Sequence, residues 1–160
     1  MTPIIKMERV LLFLSLSLVT IGLFLSVIYR YILKLDFYGI EELVIIPTIT
    51  LFFFGCAHAD YQKRHVAADF VNSYITNEKV IKLIEIINYI IILVVCFILI
   101  YWNYENVLWS ISKNPKTPGW EIPLFIPHTI VLIGFILMAL HNVIHFVDSI
   151  KNYRLLKGED

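Results

Sequence analysis

The stretch VLLFLSLSLVTIGLFLSVIY, which runs from Val10 to Tyr29, contains no charged residue and decides the class of fold. A helix rises about 1.5 Å per residue, so a helix over this stretch is about 30 Å long and matches the hydrocarbon core of a bilayer. The apolar region is too long for a secretory signal peptide, and no small-x-small cleavage site follows it. The stretch therefore predicts a transmembrane helix that is retained as an anchor.

Three more apolar runs follow, and the composition agrees with a membrane location. Hydrophobic residues make up 59% of the 160 residues and charged residues only 16%, whereas a soluble domain has about 25% charged residues. The sequence predicts an all-α integral membrane protein with four transmembrane helices and a single membrane domain over residues 1–160. The predicted spans are at about 10–29, 43–59, 86–104 and 122–146.

The basic residues that flank the spans predict the orientation. Nine lysines and arginines lie before the first span, between the second and third, and after the fourth, against four in the other two connections. Because basic residues favour the cytoplasmic side, both termini are expected in the cytoplasm. Trp102, Trp109 and Trp120 then form an aromatic belt on the opposite, outer side. The formal net charge is zero, so no global field favours nucleic acid as a partner.

The segment HVAADFVNSYI, residues 65–75, has a helical pattern. Apolar residues recur near helical spacing along one side, and Asp69, Asn72 and Ser73 occupy the other. The pattern predicts a short amphipathic helix that lies in the inner membrane interface between the second and third spans. His65 and Asp69 are one helical turn apart and are expected to hold the start of this helix.

The interiors of the predicted spans lack the ionisable groups that a transport pathway needs. Their polar residues are mostly serine, threonine, cysteine and tyrosine. Hydrocarbon cannot hold an ion or a proton without such groups, so the chain is expected to pack against a partner rather than to transport a solute itself. Two small-xxx-small pairs, Gly22 with Ser26 and Gly55 with Ala59, favour close helix packing.

Four histidines, His58, His65, His141 and His145, are predicted near the inner face. The HNVIH motif lacks the glutamate that a zinc protease needs after the first histidine. A structural metal would need about four converging ligands. His58, His141, His145 and Asp148 could converge only if the second and fourth spans are neighbours. We expect interfacial histidines, with no metal, no cofactor and no catalytic residue.

A haem-binding four-helix membrane cytochrome or anchor subunit is the main alternative. Such proteins hold haem between histidines on different helices, and His58 with His141 is a candidate pair. Both lie at span ends, where a histidine readily contacts water or lipid headgroups, so the interfacial interpretation is favoured. A thiol oxidoreductase would need reactive cysteine pairs on the outer side, whereas Cys56 and Cys96 lie inside apolar runs.

Charged residues also flank the short first connection. Arg30 ends the first span, and Glu41 and Glu42 precede the second. We expect either an ion pair between Arg30 and one of these glutamates at the outer interface, or three solvated charges that mark the membrane boundary.

The order of these features resembles a known family. YRY closes the first span, EELVI opens the second, FFFGCAHAD closes it and RHVAAD follows, before an outer loop that contains proline and tryptophan. From about residue 9 to the end of the fourth span, the chain resembles the small permease (Q, DctQ-like) subunit of tripartite ATP-independent periplasmic (TRAP) transporters. The family signature falls here on Arg30 with Tyr31, Glu41 with Glu42, Gly55 with Ala57, and His65 with Asp69.

The resemblance implies a small, non-enzymatic subunit that pairs with a large, many-span permease, which holds the substrate and sodium sites and moves as an elevator. The small subunit is expected to be a fixed scaffold in the bacterial cytoplasmic (inner) membrane, in contact with lipids. Its outer face is expected to help dock a soluble periplasmic or extracellular substrate-binding protein during organic-acid uptake. The expected structural or partner-interface residues are Gly22, Ser26, Arg30, Glu41, Glu42, Gly55, Ala59, His65 and Asp69.

Overall fold

The computed structural model of the chain describes residues 2–34, 39–62 and 78–158, which are almost entirely helical. The helices are α1 at Thr2–Val27, continued by a π-helical turn at Ile28–Ile32, α2 at Gly39–Tyr61, α3 at Glu78–Lys113 and α4 at Phe125–Gly158. No β-strand occurs in these three ranges, and an isolated bridge joins Lys116 to Pro123. The predicted all-α class is confirmed for this part of the chain.

Each predicted span coincides with a helix that is long and apolar enough to cross a membrane. These helices cover Ile4–Ile32, Gly39–Tyr61, Val80–Lys113 and Phe125–Leu155. The prediction of four helices long and apolar enough to span a membrane is confirmed. Their bounds differ from the predicted spans, because the helices extend beyond the apolar runs and the fourth begins at Phe125 rather than at residue 122. With 36 residues, α3 is about 54 Å long. Membrane helices tilt by about 40° at most, so α3 reaches past the ~30 Å hydrocarbon core.

The predicted amphipathic helix at residues 65–75 lies outside the described residues, and so do His65 and Asp69. The connection that contains them runs from the end of α2 at Tyr61 to the start of α3 at Glu78. The interfacial helix and the two residues at its start therefore remain predictions from the sequence.

The four helices form an open layer rather than a closed bundle. α1 contacts α2, α2 contacts α4, and α4 contacts α3, while no other two of the described helices approach closely through their backbones. The spatial order is therefore α1–α2–α4–α3. α1 and α3 each approach one other described helix through their backbones. Many of their apolar side chains are therefore exposed, among them Phe13, Phe24 and Phe97. Such faces require lipid or protein against them.

The contact between α2 and α4 joins the two halves of this layer. Gly134 of α4 is buried, and a Cβ added there would lie 2.6 Å from the Cβ of Phe53 on α2. The ring of Phe53 also packs edge-to-face on Phe135, with the ring centroids 5.2 Å apart. Small residues permit such an approach where lipid removes the hydrophobic drive for helix packing. Gly22 gives a similar approach of α1 to Val44 of α2.

Candidate functional site

Buried polar residues gather at the end of the layer where α1 begins, α2 ends and α4 runs toward its C-terminus. This group, named here the terminal polar cluster, consists of Glu8, His58, Asp60, His141, Asn142 and His145. The side chains of Glu8 and Asn142 are fully buried, and His141 is almost fully buried. Burial of polar groups is costly unless hydrogen-bond partners compensate, so the contacts of the cluster indicate its role.

Glu8 on α1 is bound from α2 by a histidine. The Nδ1 atom of His58 lies 3.3 Å from Oε2 of Glu8, and the Nε2 atom of His58 lies 3.0 Å from the amide nitrogen of Gln62. Because an amide nitrogen donates, Nε2 of His58 accepts that hydrogen bond, which leaves Nδ1 as the donor to Glu8. His58 therefore satisfies one oxygen of the buried carboxylate and joins α1 to α2.

The two histidines of HNVIH cap the last turn of α2. The Nδ1 atom of His141 is 2.9 Å from the carbonyl oxygen of Ala57, and the Nε2 atom of His145 is 3.1 Å from that of Asp60. Asn142, between them, donates to the carboxylate of Asp60 at 2.7 Å. Asp60 lies in the last turn of α2, where carbonyls lack intrahelical partners and form the negative end of the helix dipole, so its carbonyl favours a donor such as His145. The carbonyl of Ala57 lies one turn earlier, and His141 contacts it in addition to its place in the helix.

This geometry does not favour the haem alternative. The ring nitrogens of His58 face Glu8 and Gln62, and those of His141 face Ala57 and Glu8. Haem iron would have to displace these contacts to gain its axial ligands. The second and fourth spans are neighbours, as a shared metal site requires, but their histidines contact protein oxygens. No group of three or more His, Cys, Asp or Glu that could hold a metal ion occurs among the residues with described positions.

Sequence patterns did not single out Glu8, the central residue of the cluster. It stands beside Arg9 and close to Lys6, and such a mixture of charges is typical of a membrane boundary. One signal was available, because Glu8, Ser15 and Gly22 recur every seven residues and so share one side of α1. Glu8 and Ser15 are buried, and Gly22 lies against α2. Small and polar residues at this spacing predict the packed side of an apolar helix.

At the opposite end of the layer, Glu42 holds the loop between α3 and α4. Its carboxylate oxygens accept hydrogen bonds from the backbone N–H groups of Gly119 at 2.7 Å and of Trp120 at 2.9 Å. This arrangement is named the Glu42 clamp. Hydrogen bonds to an ionised carboxylate are charge-assisted, and the use of both oxygens fixes the direction of approach. The clamp therefore ties the loop to the first turn of α2.

The clamped loop, residues 114–124, is also bonded within itself. The backbone N–H of Thr117 donates to the carbonyl of Ile122, and the N–H of Ile122 donates to Oγ1 of Thr117, each at 3.0 Å. The indole of Trp120 lies against Gly39, the first residue of α2, at a place where a Cβ would collide with the ring. The loop therefore has a defined position over the start of α2.

The ion pair expected between Arg30 and a glutamate is not formed within the described ranges. Glu42 is directed to the loop instead, because two backbone N–H groups of the loop donate to its carboxylate. Arg30 lies on the π-helical turn and is exposed, and Glu41 is exposed as well. These two residues fit the other expectation, that of solvated charges at the membrane boundary.

The two small-residue pairs divide between the interior and the surface of the layer. Gly22 lies against α2, and Gly55 faces α1 across an ordinary van der Waals distance. Ser26 is half-buried and lines a groove between α1 and α2. Ala59 is exposed. The two glycines therefore serve contacts within the chain, whereas Ser26 and Ala59 are accessible from outside.

A buried hydrogen bond joins α3 to α4 near the clamped loop. The Oγ atom of Ser110, which is fully buried, lies 2.6 Å from Nδ1 of His128. We expect Ser110→Ala to lower the free energy of unfolding by about 1 kcal/mol, because it leaves the histidine nitrogen without this partner. Ser112→Ala is the matched control, since Ser112 bonds only the nearby carbonyl of Trp109 at the surface. Thermal unfolding in detergent measures both variants, and equal shifts would contradict the expectation.

Four helices that are long and apolar enough to span a membrane, with buried polar residues that contact one another or the backbone, define a helical membrane protein. Residues 19–152 match the family described as tripartite ATP-independent periplasmic transporters, DctQ component. This match covers well over half of the chain, and the protein belongs to the DctQ family, the small permease component of TRAP transporters. The resemblance predicted from the sequence is confirmed. No curated protein matches the chain.

Membership of this family sets the general role of the protein. DctQ proteins are transporter components and not enzymes, and they work with a large permease, DctM, and a substrate-binding protein. The family and the four apolar helices together indicate a protein of the bacterial inner membrane.

Proposed function

We propose that this chain is the small membrane subunit of a sodium-coupled TRAP transporter. In this proposal it scaffolds the large permease subunit and helps to dock the substrate-binding protein during organic-acid uptake. The observation that supports the scaffold role best is the open layer of helices. Within the apolar stretch of α1 that is long enough to cross a membrane, only 6% of the residues are buried by the rest of the chain. In the corresponding stretch of α4 the share is 28%. A helix so little covered by its own chain is available to a partner or to lipid.

The placement of polar side chains supports a structural rather than a solute-carrying role. A carrier needs polar or ionisable groups that line a path at membrane depth. In the described part of the chain, the buried Glu8 and its histidine partners bind one another or the end of α2. At the other end, Ser110 bonds His128. The path for solute and sodium is therefore expected on the large subunit.

The Glu42 clamp supports the docking role. A loop that is fixed before a partner arrives loses less conformational entropy on binding than a mobile one. The clamp holds residues 114–124 in one position, with Trp120 about half exposed. Exposed tryptophan is enriched in protein interfaces as well as in membrane-interface belts. We therefore propose this loop as part of the surface that contacts the binding protein.

Co-expression with the large permease subunit tests the scaffold role. We expect the two membrane subunits to purify as one complex in mild detergent, because lipid-exposed faces of α1 and α3 are then covered by protein. The same chain expressed alone is expected to be less stable to heating. A chain that is stable and monomeric without a large membrane partner would remove the main support for the proposal.

The groove beside Ser26 is proposed as part of the contact with the large subunit. It has a volume of about 240 Å³ and is lined mainly by apolar side chains of α1 and α2. Ser26→Trp fills it, and we expect about tenfold less co-purified large subunit, which corresponds to about 1.4 kcal/mol of binding free energy. Thr20→Trp is the control, because Thr20 is exposed on α1 outside the groove. An equal loss in both variants would argue against a specific groove contact.

Two parts of the proposal rest on the sequence. We propose that both termini lie in the cytoplasm, because basic residues are in excess on the side of the predicted spans where the termini lie. His65 and Asp69 are proposed to hold the start of an interfacial helix that widens the scaffold at the inner surface and contacts lipids. Substitution of His65 by alanine tests this proposed role at the start of the interfacial helix. Unchanged assembly with the large subunit would exclude the role.

A further inference from the structure

The terminal polar cluster contains a mismatch of hydrogen-bonding groups. The Nδ1 atom of His141 faces the carbonyl oxygen of Ala57 at 2.9 Å, and a carbonyl only accepts, so Nδ1 has a hydrogen. A neutral imidazole has a single N–H, so the Nε2 atom of a neutral His141 would be a bare acceptor. That atom lies 3.6 Å from Oε1 of the fully buried Glu8. Two acceptors would then face each other.

The other contacts of Glu8 do not remove this mismatch. His58 satisfies Oε2, because the amide of Gln62 donates to the far nitrogen of its ring. Oε1 has no hydrogen-bond partner among the residues whose positions are described. A buried carboxylate oxygen without a donor is strongly unfavourable. The missing hydrogen therefore belongs in the gap between Oε1 of Glu8 and Nε2 of His141.

We propose that Glu8 and His141 form a buried proton-binding site and hold one proton between Oε1 and Nε2. The pair is then either an imidazolium beside a carboxylate or an imidazole beside a carboxylic acid. Both forms have zero net charge and replace two opposed acceptors by a donor and an acceptor. The site lies within this chain and is independent of the proposed scaffold role.

The bound proton links α1 to α4. These two helices have no close backbone approach, so the Glu8–His141 contact is a polar side-chain connection between helices that are not neighbours in the layer. At neutral and alkaline pH, the closed site holds one proton more than the separated side chains do. Between the reference pKa values of glutamate and histidine, the separated side chains also bind one proton in total. The contribution of the site to stability is therefore complete in mildly acidic solution and is lost as the pH rises from there into the alkaline range. The attachment of the first turns of α1 is expected to weaken in alkaline solution.

Other titratable groups near the pair must be distinguished from it. α2 contributes His58, Asp60 and Tyr61, and the ring of Tyr61 lies 5.5 Å from that of His141. α4 contributes His145, which caps α2. On α1 itself the neighbouring charges are the exposed Lys6 and Arg9. α3 does not approach α1. A variant of Glu8 changes the proposed site and leaves all of these groups in place.

Glu8→Gln is the informative variant. Glutamine has the shape of glutamate, and its oxygen still accepts from His58 while its amide donates to the bare nitrogen of a neutral His141. The variant therefore keeps both contacts and needs no proton. Glu105→Gln is the control for the loss of one carboxylate, because Glu105 is exposed and bonds Tyr101 on its own helix.

The test is nuclear magnetic resonance of the full-length chain in lipid nanodiscs at about pH 7.5, where a solvated histidine is mostly neutral. With labelled histidine and glutamate side chains, we expect a proton on Nε2 of His141 or on the carboxyl of Glu8 in the wild-type chain. In Glu8→Gln that proton is lost and His141 is neutral, whereas Glu105→Gln retains it. A wild-type chain with Nε2 bare and Glu8 ionised overturns the proposal, whether or not the variant folds.

Thermal unfolding as a function of pH gives a second readout. The unfolding temperature of the wild-type chain and of Glu105→Gln is expected to fall from neutral to alkaline pH, and that of Glu8→Gln to fall much less. The same pH profile in the wild-type chain and Glu8→Gln would overturn the proton link between α1 and α4.

Discussion

Replacement of Gly134 by valine is expected to abolish the stable folded protein. The α2–α4 contact joins the α1–α2 half of the layer to the α3–α4 half, and Gly134 lies at that contact. A Cβ at this position would be 2.6 Å from the Cβ of Phe53 and 3.5 Å from its backbone carbon. These atoms cannot rotate away as the end of a flexible side chain can, so the two helices must separate.

A graded series makes the expectation quantitative. Gly134→Ala adds the Cβ alone and is expected to lower the free energy of unfolding by about 1–3 kcal/mol, the usual range for an overpacked interior. Gly134→Val adds two further methyl groups, and the loss then approaches the whole stability of a small domain, about 5–15 kcal/mol. Expression level, gel-filtration profile in detergent and thermal unfolding measure the series.

Gly55→Ala is the matched control for this series. Gly55 lies on α2, and its added Cβ would be 3.8 Å from Leu12, an ordinary van der Waals distance. We therefore expect Gly55→Ala to unfold within a few degrees of the wild-type chain. A Gly134→Val protein that is monodisperse with an unchanged unfolding temperature would show that the α2–α4 contact is not the joint of the layer.

The number and approximate position of the helices could be predicted from the sequence because a bilayer imposes a simple requirement. Each span must be about 20 apolar residues long, and its backbone must be satisfied within the helix. This requirement does not fix helix ends. α3 continues to Lys113, nine residues beyond the predicted end at Tyr104. Val107 and Ser110 are buried on one side of this extension, and its charged residues, Glu105 and Lys113, are exposed.

The polar contacts could be predicted only in part, because they join residues far apart in the chain. The spacing of HNVIH placed His141 and His145 on one side of a helix, but it did not show that the end of α2 faces them. Glu42 was identified as a charge at the outer boundary, whereas its partners are backbone N–H groups of a distant loop. Backbone donors have no sequence signature, so such a clamp is found only from the fold.

Loss of the Glu42 clamp is expected to have the largest effect on function among the residues at the loop end. In Glu42→Gln, one carboxylate oxygen becomes an NH₂ group, which donates and therefore opposes the N–H of Gly119 or Trp120. The loop at residues 114–124 then loses at least one of the two hydrogen bonds that its backbone donates to Glu42. Hydrogen exchange at the amides of Gly119 and Trp120 is expected to accelerate, since local opening becomes easier.

The freed loop must be ordered again whenever the substrate-binding protein docks. We expect the affinity of the membrane complex for that protein to fall by about tenfold, the range produced by immobilising a few additional groups on binding. Titration of the binding protein onto the complex of both membrane subunits measures this effect. Glu41→Gln is the matched control, because it removes the same charge from the neighbouring exposed position and leaves the clamp intact.

The two readouts separate the clamp from its proposed purpose. Faster exchange in Glu42→Gln with an unchanged docking affinity would keep the clamp as a structural feature and would exclude the loop from the docking surface. Equal losses of affinity in Glu41→Gln and Glu42→Gln would indicate that charge at the start of α2, and not the order of the loop, attracts the binding protein. Weaker docking confined to Glu42→Gln is expected, because only this residue holds the loop in place.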